Sequence, residues 1–140
     1  MNGRCLCGAV RFTVPDDRRG IGVCHCGICR RWGGGPMLAV HCGPDVRISE
    51  GADKVRTYAS SEWAERAFCQ VCGTHLYCKV HASGDHFVAA GTLDSDELRI
   101  TGQTFIDCKL PYYDLVNQTP KFTEQQVLEM FASGKAGGAA

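Results

Sequence analysis

Hydrophobic and polar residues alternate along most of the chain from residue 8 to about residue 107, and the apolar positions are rich in β-branched and aromatic side chains. Alternation with a period of two residues is typical of half-buried β-strands. Glycine, proline, aspartate and serine interrupt the pattern at short intervals, which favours hairpins and meanders over parallel crossovers. The strands that this pattern predicts are 9–14, 37–42, 46–49, 55–58, 66–68, 76–80, 87–91 and 104–106.

One helix is predicted, near the C-terminus. Thr123 has the side chain of an N-cap residue, and Gln126 stands at the position that completes a capping box. The helix is expected to run to about Ser133, because Gly134 offers a stop, and residues 135–140 are expected to form a frayed tail.

Loops are predicted at 18–22 and at 31–36, where glycine and arginine replace the alternating pattern. The chain is thus expected to fold as a mainly β protein with one C-terminal helix. The expected division is a β-rich domain over residues 1–122, followed by the helix and a flexible tail over residues 123–140.

Composition excludes several classes of protein. The 140 residues include 15 basic and 15 acidic side chains, without a basic block, so binding to nucleic acid or to a membrane surface is not expected. Apolar runs are no longer than about four residues, too short for a membrane span or a signal peptide. A cytoplasmic location is therefore expected, and the oligomeric state is left open.

The ten cysteines are the main chemical clue. In a reducing compartment, clustered thiols are more often metal ligands or redox groups than disulfides. Three of them, Cys42, Cys78 and Cys108, stand alone in stretches whose pattern is typical of strands and are expected to be small buried side chains. The other seven fall into three tight groups: Cys5 with Cys7, Cys24 with Cys26 and Cys29, and Cys69 with Cys72.

Two of these groups have the form of zinc-binding turns. Cys7 precedes Gly8 and Cys72 precedes Gly73, and glycine readily adopts the positive φ that a tight turn after the second ligand requires. Together with Cys5 and Cys69 they offer four thiolates, which is a typical structural zinc set. The alternative is a redox dithiol, but the βα pattern that normally surrounds such a pair is missing.

The middle group brings three thiolates within six residues, Cys24 to Cys29. Three protein ligands leave one position of a zinc ion for a substrate, which is the mark of a catalytic site. The alternative is that His25, His41, His75 or a spare cysteine completes the tetrahedron and that both metals are structural. His25 lies between two of the thiols and is expected to point away from a metal that they share.

The spacing of these groups resembles that of a known family. The motifs that carry the resemblance are Gly3-x-Cys5-x-Cys7-Gly8-x-Val10-x-Phe12, Cys24-His25-Cys26-x-x-Cys29-Arg30 and Phe68-Cys69-x-x-Cys72-Gly73-x-x-Leu76. The family is that of the glutathione-dependent formaldehyde-activating enzymes, which shares its domain with centromere protein V. The resemblance covers about 120 residues, essentially the domain predicted at 1–122.

The resemblance implies small antiparallel sheets of zinc-ribbon type and two Zn²⁺ ions per chain. It implies a structural zinc on Cys5, Cys7, Cys69 and Cys72, and a catalytic zinc on Cys24, Cys26 and Cys29, a grouping that spacing alone does not decide. The implied activity is that of a carbon–sulfur lyase, which joins the thiol of glutathione to formaldehyde as an S-hydroxymethyl adduct.

The implied partners are therefore a small-molecule thiol and a small aldehyde. Arg30 and Arg31 follow the middle cysteine group, where they could hold a carboxylate of glutathione, and Trp32 could flank the same groove. Two rival hypotheses remain: a zinc-stabilised binding module without catalysis, and a metal-buffering or redox-sensing protein.

Overall fold

The computed structural model describes residues 1–134, and the tail predicted at 135–140 lies outside the described residues. β-Strands dominate, which confirms the mainly β class. In chain order the strands are Asn2–Arg4 (β1), Arg11–Thr13 (β2), Gly20–Cys24 (β3), Met37–Gly43 (β4), Arg47–Glu50 (β5), Val55–Ala59 (β6), Ala64–Cys69 (β7), His75–Val80 (β8), His86–Ala89 (β9), Arg99–Thr104 (β10) and Lys121–Phe122 (β11). The α-helices are Gly27–Gly33 (α1) and Glu124–Ala132 (α2), and short 3-10 helices lie at Ala52–Lys54, Ala90–Thr92 and Ile106–Cys108. None of these helices is long and apolar enough to cross a lipid bilayer.

The strands form two sheets. β1, β2 and β5 make a small antiparallel sheet, and the other strands make a larger sheet in the order β11-β10-β3-β4-β9-β8-β7-β6. Most neighbours in the larger sheet are antiparallel, as predicted, but β10 runs parallel to both β3 and β11. The preference for hairpins and meanders therefore fails at one end of the larger sheet, where strands that are distant in sequence pair side by side.

Strand β3 occupies part of the segment that was predicted to be a loop, residues 18–22, and that prediction is wrong. Glycines at 20 and 22 weaken the local preference for a strand. However, β3 has hydrogen-bonded neighbours on both sides, β4 and β10, and Val23 is fully buried. Tertiary pairing therefore overrides local propensity, and it places Cys24 at the end of a central strand.

A second helix, α1, begins inside the middle cysteine group, so the prediction of a single helix is also wrong, as is the first half of the loop predicted at 31–36. The N-cap of α1 is Cys26, whose Sγ accepts a hydrogen bond from the Cys29 N–H at 3.4 Å. The helix ends at Gly34, which has a φ of 83° and donates its N–H to the Arg30 carbonyl at 2.7 Å. Cysteine is not among the usual N-cap residues, so the sequence contains no ordinary start signal for this helix.

Helix α2 begins where it was predicted to begin. Thr123 and Gln126 form the complete capping box, and Gly134 follows the helix with a φ of 72°. The backbone N–H of Glu124 donates to Asp107 Oδ1 at 2.8 Å, which ties the start of the helix to the preceding 3-10 helix. The division of the chain into 1–122 and 123–140 stays a prediction.

The prediction of a strand at 104–106 is wrong beyond its first residue. β10 ends at Thr104, and Phe105 adopts a φ of 54° in the left-handed region, which turns the chain out of the sheet into the 3-10 helix. Strands β1 and β11 were not predicted, because strands of 3 and 2 residues are too short to show a period.

The hydrophobic core lies between the two sheets. It includes Phe12 from β2, Val40 from β4, Leu76 from β8 and Val88 from β9, each at most 1% exposed. Both sheets therefore share one interior, and Cys5 and Cys69 of the cysteine groups belong to it.

The isolated cysteines differ from one another. Cys42 and Cys78 are buried in β4 and β8, as predicted. Cys108 does not lie in a strand: it ends a 3-10 helix, is partly exposed, and its Sγ lies 3.9 Å from Glu124 Oε2.

Candidate metal centres

The first cluster consists of Cys5, Cys7, Cys69 and Cys72, and it is called the four-thiol cluster below. The four Sγ atoms all lie within 4.8 Å of one another. The Cys5 and Cys7 sulfurs are 3.5 Å apart, and the Cys7 and Cys69 sulfurs are 4.0 Å apart. Residues more than sixty positions apart in the chain thus meet at one point, which joins the end of β1 to the end of β7.

Two similar turns present these thiols. Gly8 has a φ of 77° and donates its N–H to the Cys5 carbonyl at 3.1 Å. Gly73 has a φ of 78° and donates its N–H to the Cys69 carbonyl at 2.8 Å. Both glycines occupy the left-handed region that other residues rarely adopt, so they form the turns that the sequence predicted.

Hydrogen bonds around the four-thiol cluster stabilise the charged form of two of its sulfurs, those of Cys5 and Cys72. The Val10 N–H donates to Cys5 Sγ at 3.3 Å. The Thr74 hydroxyl lies 3.1 Å from Cys72 Sγ and also accepts the Leu6 N–H at 3.1 Å. The hydrogen bond from Thr74 is the largest cause that lowers the pKa of Cys72 to about 5. Sequence reasoning did not find Thr74, because a threonine beyond the second ligand has no distinctive spacing.

The four-thiol cluster fits a zinc ion. Four sulfurs at the usual zinc–sulfur distance of about 2.3 Å form a tetrahedron with edges of about 3.8 Å. The measured sulfur separations of 3.5 Å and 4.0 Å lie on either side of that value. The donor set and its geometry are those of a closed site, in which the protein supplies every ligand.

The second cluster consists of Cys24, Cys26 and Cys29, and it is called the three-thiol cluster below. Cys24 ends β3, Cys26 caps α1 and Cys29 lies in the first turn of that helix. Their Sγ atoms lie within 4.8 Å of one another. Within residues 1–134, no histidine, carboxylate or further cysteine comes within that distance of all three sulfurs.

The three thiols share their protons unequally. Hydrogen bonds from Cys24 and then from Cys29 hold the pKa of Cys26 far below its usual range. The pKa of Cys24 is raised, first because of the Cys26 side chain. The environment therefore favours a thiolate at Cys26, which is the form that binds a metal.

A buried arginine completes the surroundings of the three-thiol cluster. Arg66, in β7, is 4% exposed, and its Nη2 donates to Cys29 Sγ at 3.4 Å. Nε donates to Ser60 Oγ at 3.2 Å, and Nη1 lies 3.6 Å from Met37 Sδ. Burial disfavours its charge, but the neighbouring cysteine sulfurs, Cys29 first among them, together outweigh this and raise the pKa of Arg66. Sequence reasoning missed Arg66, since it stands in a strand 37 residues beyond Cys29 in the chain.

His25 lies between two of the thiols but turns to other partners. Its ring is 1% exposed, with Nε2 2.9 Å from Gln103 Oε1 and Nδ1 2.5 Å from the Tyr113 hydroxyl. Gln103 lies in β10, the parallel neighbour of β3. The histidine thus anchors the three-thiol cluster to β10 and to the segment that contains Tyr113.

A cavity of about 600 Å³ adjoins the three-thiol cluster. Cys24, Cys26, Cys29 and Arg66 form part of its lining, and α2 forms another part. The buried Cys78 and the partly exposed Cys108 also line it. The three-thiol cluster is therefore accessible to a small molecule from this cavity.

The residues that the sequence suggested for substrate binding occupy different places. Arg31 lines the cavity, whereas Arg30 and Trp32 are not among its lining residues. The Trp32 ring stacks on His75 and on Tyr58, with ring centroids 4.8 Å and 5.8 Å apart. Of the three, Arg31 alone contributes to the cavity wall.

Fold and site together define a mainly β, cysteine-rich protein with one closed four-thiol cluster and one three-thiol cluster beside a cavity. Residues 1–108 match the family model of the glutathione-dependent formaldehyde-activating enzyme. The chain belongs to that family, which confirms the resemblance inferred from its cysteine motifs.

Individual relatives agree with this assignment. A Schizosaccharomyces pombe protein described as an uncharacterized lyase is 35% identical, over 91% of this chain and 93% of that protein. A Halomonas elongata protein described as a candidate glutathione-dependent formaldehyde-activating enzyme is 32% identical, over 55% of this chain and 54% of that protein. A crystal structure of a Rhodobacter sphaeroides protein shares the fold, with a TM-score of 0.55 and 24% identity over 88% of this chain and 100% of that one.

Proposed function

We propose that this protein is a zinc-dependent carbon–sulfur lyase-like enzyme that acts on glutathione or another thiol and a small aldehyde such as formaldehyde. It would form or cleave an S-hydroxymethyl adduct. The observation that carries the proposal is the three-thiol cluster in the lining of a cavity. Membership of the family and the names of two relatives support the reaction class.

Two zinc ions per chain belong to the proposal. Cys5, Cys7, Cys69 and Cys72 would hold a structural ion, and Cys24, Cys26 and Cys29 would hold a catalytic ion. When bound by three thiolates, zinc supplies a Lewis acid with one position for a substrate atom, and it lowers the pKa of a thiol there.

Arg66 and Arg31 have separate roles in this proposal. The Arg66 guanidinium lies against Cys29 Sγ, so it places a positive charge where a substrate thiolate and a developing alkoxide need one. Arg31 lines the cavity and is suited to bind a carboxylate, of which glutathione has two. Arg30 and Trp32 receive less support as substrate contacts, because they lie outside the lining.

The same chemistry bears on partners and compartment. The proposed partners are small molecules, and the balance of 15 basic and 15 acidic residues gives no support for nucleic-acid binding. All ten cysteines are free thiols. A thiol-dependent site that must stay reduced supports the cytoplasm as its compartment.

The test is the Cys26→Ser variant with Cys42→Ala as its control, since Cys42 is a buried cysteine outside both clusters. Cys26→Ser is expected to lower the zinc content from about two ions per chain to about one, because one of three ligands is lost. It should also abolish the acceleration of adduct formation between glutathione and formaldehyde, while the far-ultraviolet circular dichroism is retained. Cys42→Ala should retain both the zinc and the activity.

Unchanged turnover in Cys26→Ser would contradict the proposal. Two zinc ions per chain with no acceleration of any thiol–aldehyde reaction by the unaltered protein would favour the zinc-stabilised binding module instead. In that case added glutathione should leave the metal spectra of both clusters unchanged after replacement of zinc by cobalt.

A further inference from the structure

The cavity beside the three-thiol cluster is much larger than formaldehyde, which has only two heavy atoms. Its volume is about 600 Å³, which is within the range of sites that hold drug-sized ligands. Glutathione would enter this cavity beside Arg31, and formaldehyde next to it would leave the apolar part of the space to water.

The walls of this cavity are mainly apolar. Side chains from β4, β8, β9 and α2 line it, among them Met37, Ala39, Val80, Phe87 and Val127. Water against such a surface is unfavourable, and an apolar group that displaces it gains free energy in proportion to the area buried.

The mouth of the cavity carries apolar side chains that remain accessible. Ile28 is 38% exposed, Phe131 40%, Trp63 50% and Leu128 57%, and all four line the same cavity. Exposed apolar side chains that gather around one opening are typical of a ligand site. Here the same cavity reaches from this opening to the three-thiol cluster. A ligand that fills the opening is therefore placed to react at the cluster.

The geometry of the reaction decides which part of a substrate reaches these walls. Carbon–sulfur bond formation brings the aldehyde carbon against a sulfur held at the three-thiol cluster. The substituent on that carbon must then extend into the adjoining cavity. Arg66 is the charged wall residue that contacts the cluster. Charged lining is sparse, since Arg31, Arg66 and Glu124 are the charged residues among the described lining.

We propose that the preferred aldehyde carries an apolar alkyl or aryl substituent, which occupies the cavity lined by Ala39, Phe87 and Val127. The inference rests on the proposed function and deepens it, since it names the substrate class. The thiol's S–H bond and the carbonyl π bond break, and a C–S bond and an O–H bond form. The thiol proton ends on the alkoxide oxygen, so no oxidant, reductant or co-reactant is needed.

The test measures the zinc-loaded protein with glutathione and a series of aldehydes from formaldehyde and acetaldehyde to hexanal. The readout is the ratio of catalysed to uncatalysed rate constants for each aldehyde, so that intrinsic reactivity cancels. We expect the ratio to rise by up to about fourfold for each methylene group, the value that corresponds to about 0.8 kcal/mol for a buried methylene. The inhibition constants of S-methyl-, S-butyl- and S-hexylglutathione should fall in the same order.

Variants of the wall residues test whether the cavity, rather than another part of the surface, causes the dependence on chain length. Ala39→Leu places three more carbon atoms at a wall residue that is 6% exposed, so it should flatten the chain-length dependence. Leu128→Gln makes the mouth polar but keeps a good helix former, so it should reduce the advantage of hexanal over acetaldehyde. The matched control is Val116→Gln, at a 90% exposed valine outside the lining, which should leave the whole series unchanged.

The outcomes distinguish the two proposals. If formaldehyde is accelerated but the ratio is flat or falls with chain length, the inference is overturned while the proposed function stands. If no aldehyde is accelerated, both are overturned. A dimer in solution that Leu128→Gln dissociates and Val116→Gln does not would assign the apolar mouth to a second copy of the chain, and would also overturn the inference.

Discussion

Arg66 carries a permanent positive charge that lies against a candidate metal ligand. A divalent ion with three thiolates has a net charge of minus one, and a fourth thiolate from a substrate would make it minus two. Charge of this kind is costly in a site with little access to water, unless an opposite charge is nearby. Because Arg66 is 4% exposed and donates to Cys29 Sγ, it offsets one of these charges directly.

Replacement of Arg66 should therefore weaken zinc binding at the three-thiol cluster but not at the four-thiol cluster. In Arg66→Met we expect zinc affinity at that cluster to fall by about 10–100-fold, the usual effect of losing a partner of a metal ligand. Arg66→Lys should restore part of the affinity, because it returns the charge without the planar group. Competition with a chromophoric chelator measures the zinc affinity of both clusters in one titration. An equal loss of zinc affinity at the four-thiol cluster would contradict this role of Arg66.

Among single residues, the sequence predicted the two cysteine clusters but not the groups around them. Seven cysteines were recognisable because pairs and triplets lie within a few residues of one another. Arg66 contacts Cys29 from β7, and Gln103 contacts His25 from β10, and both residues are far away in the chain. No local pattern marks such residues, so only the folded structure shows that they belong to the site.

Helix α1 presents two of the three thiols, and its end depends on one glycine. Gly34 has a φ of 83°, and a side chain added there would meet no atom within 4 Å. Gly34→Ala is therefore expected to cost about 1–2 kcal/mol of unfolding free energy from backbone strain alone. Denaturation with urea measures this change.

Gly33→Ala is the matched control for that variant. Gly33 is the last residue of α1, has no positive φ and also has open space around it. Alanine in a helix is favoured over glycine by roughly 0.5–1 kcal/mol, so Gly33→Ala should leave stability unchanged or raise it. Similar losses in both variants would show that contacts, rather than the left-handed conformation, decide the end of α1.

The elements that the sequence predicted correctly are those with local signals. Helix α2 has a complete capping box at Thr123 and Gln126, and it was placed correctly. Helix α1 starts at a cysteine N-cap, and β3 contains two glycines and depends on the distant β10 for its parallel pairing. Their conformations are set by tertiary contacts, which a single sequence does not display.

For the molecule as a whole, the four-thiol cluster joins the two sheets. Cys5 and Cys7 follow β1 of the small sheet, while Cys69 and Cys72 lie at the end of β7 of the larger sheet. Metal binding there would add to the free energy of folding, because the unfolded chain does not hold these thiols together. The three-thiol cluster joins only neighbouring residues and should contribute much less.

Single ligand replacements should show this difference. Cys7→Ser is expected to lower the Tm by on the order of 10 °C, as a loss of a few kcal/mol would in a domain of this size. Cys24→Ser removes a ligand of the three-thiol cluster and should change the Tm by only a few degrees, although it also lowers the zinc content. Calorimetry with zinc analysis of the same samples measures both, and a larger fall in Cys24→Ser would contradict this division of roles.

Strand β7 serves both centres, since it carries Arg66 within its length and Cys69 at its end. A metal ion bound at the end of this strand would further restrain the strand, and with it the position of the guanidinium beside Cys29. We therefore expect the two centres to fill in a set order when metal is added to the metal-free protein, with ion capture at the sheet junction first and at the three-thiol cluster second.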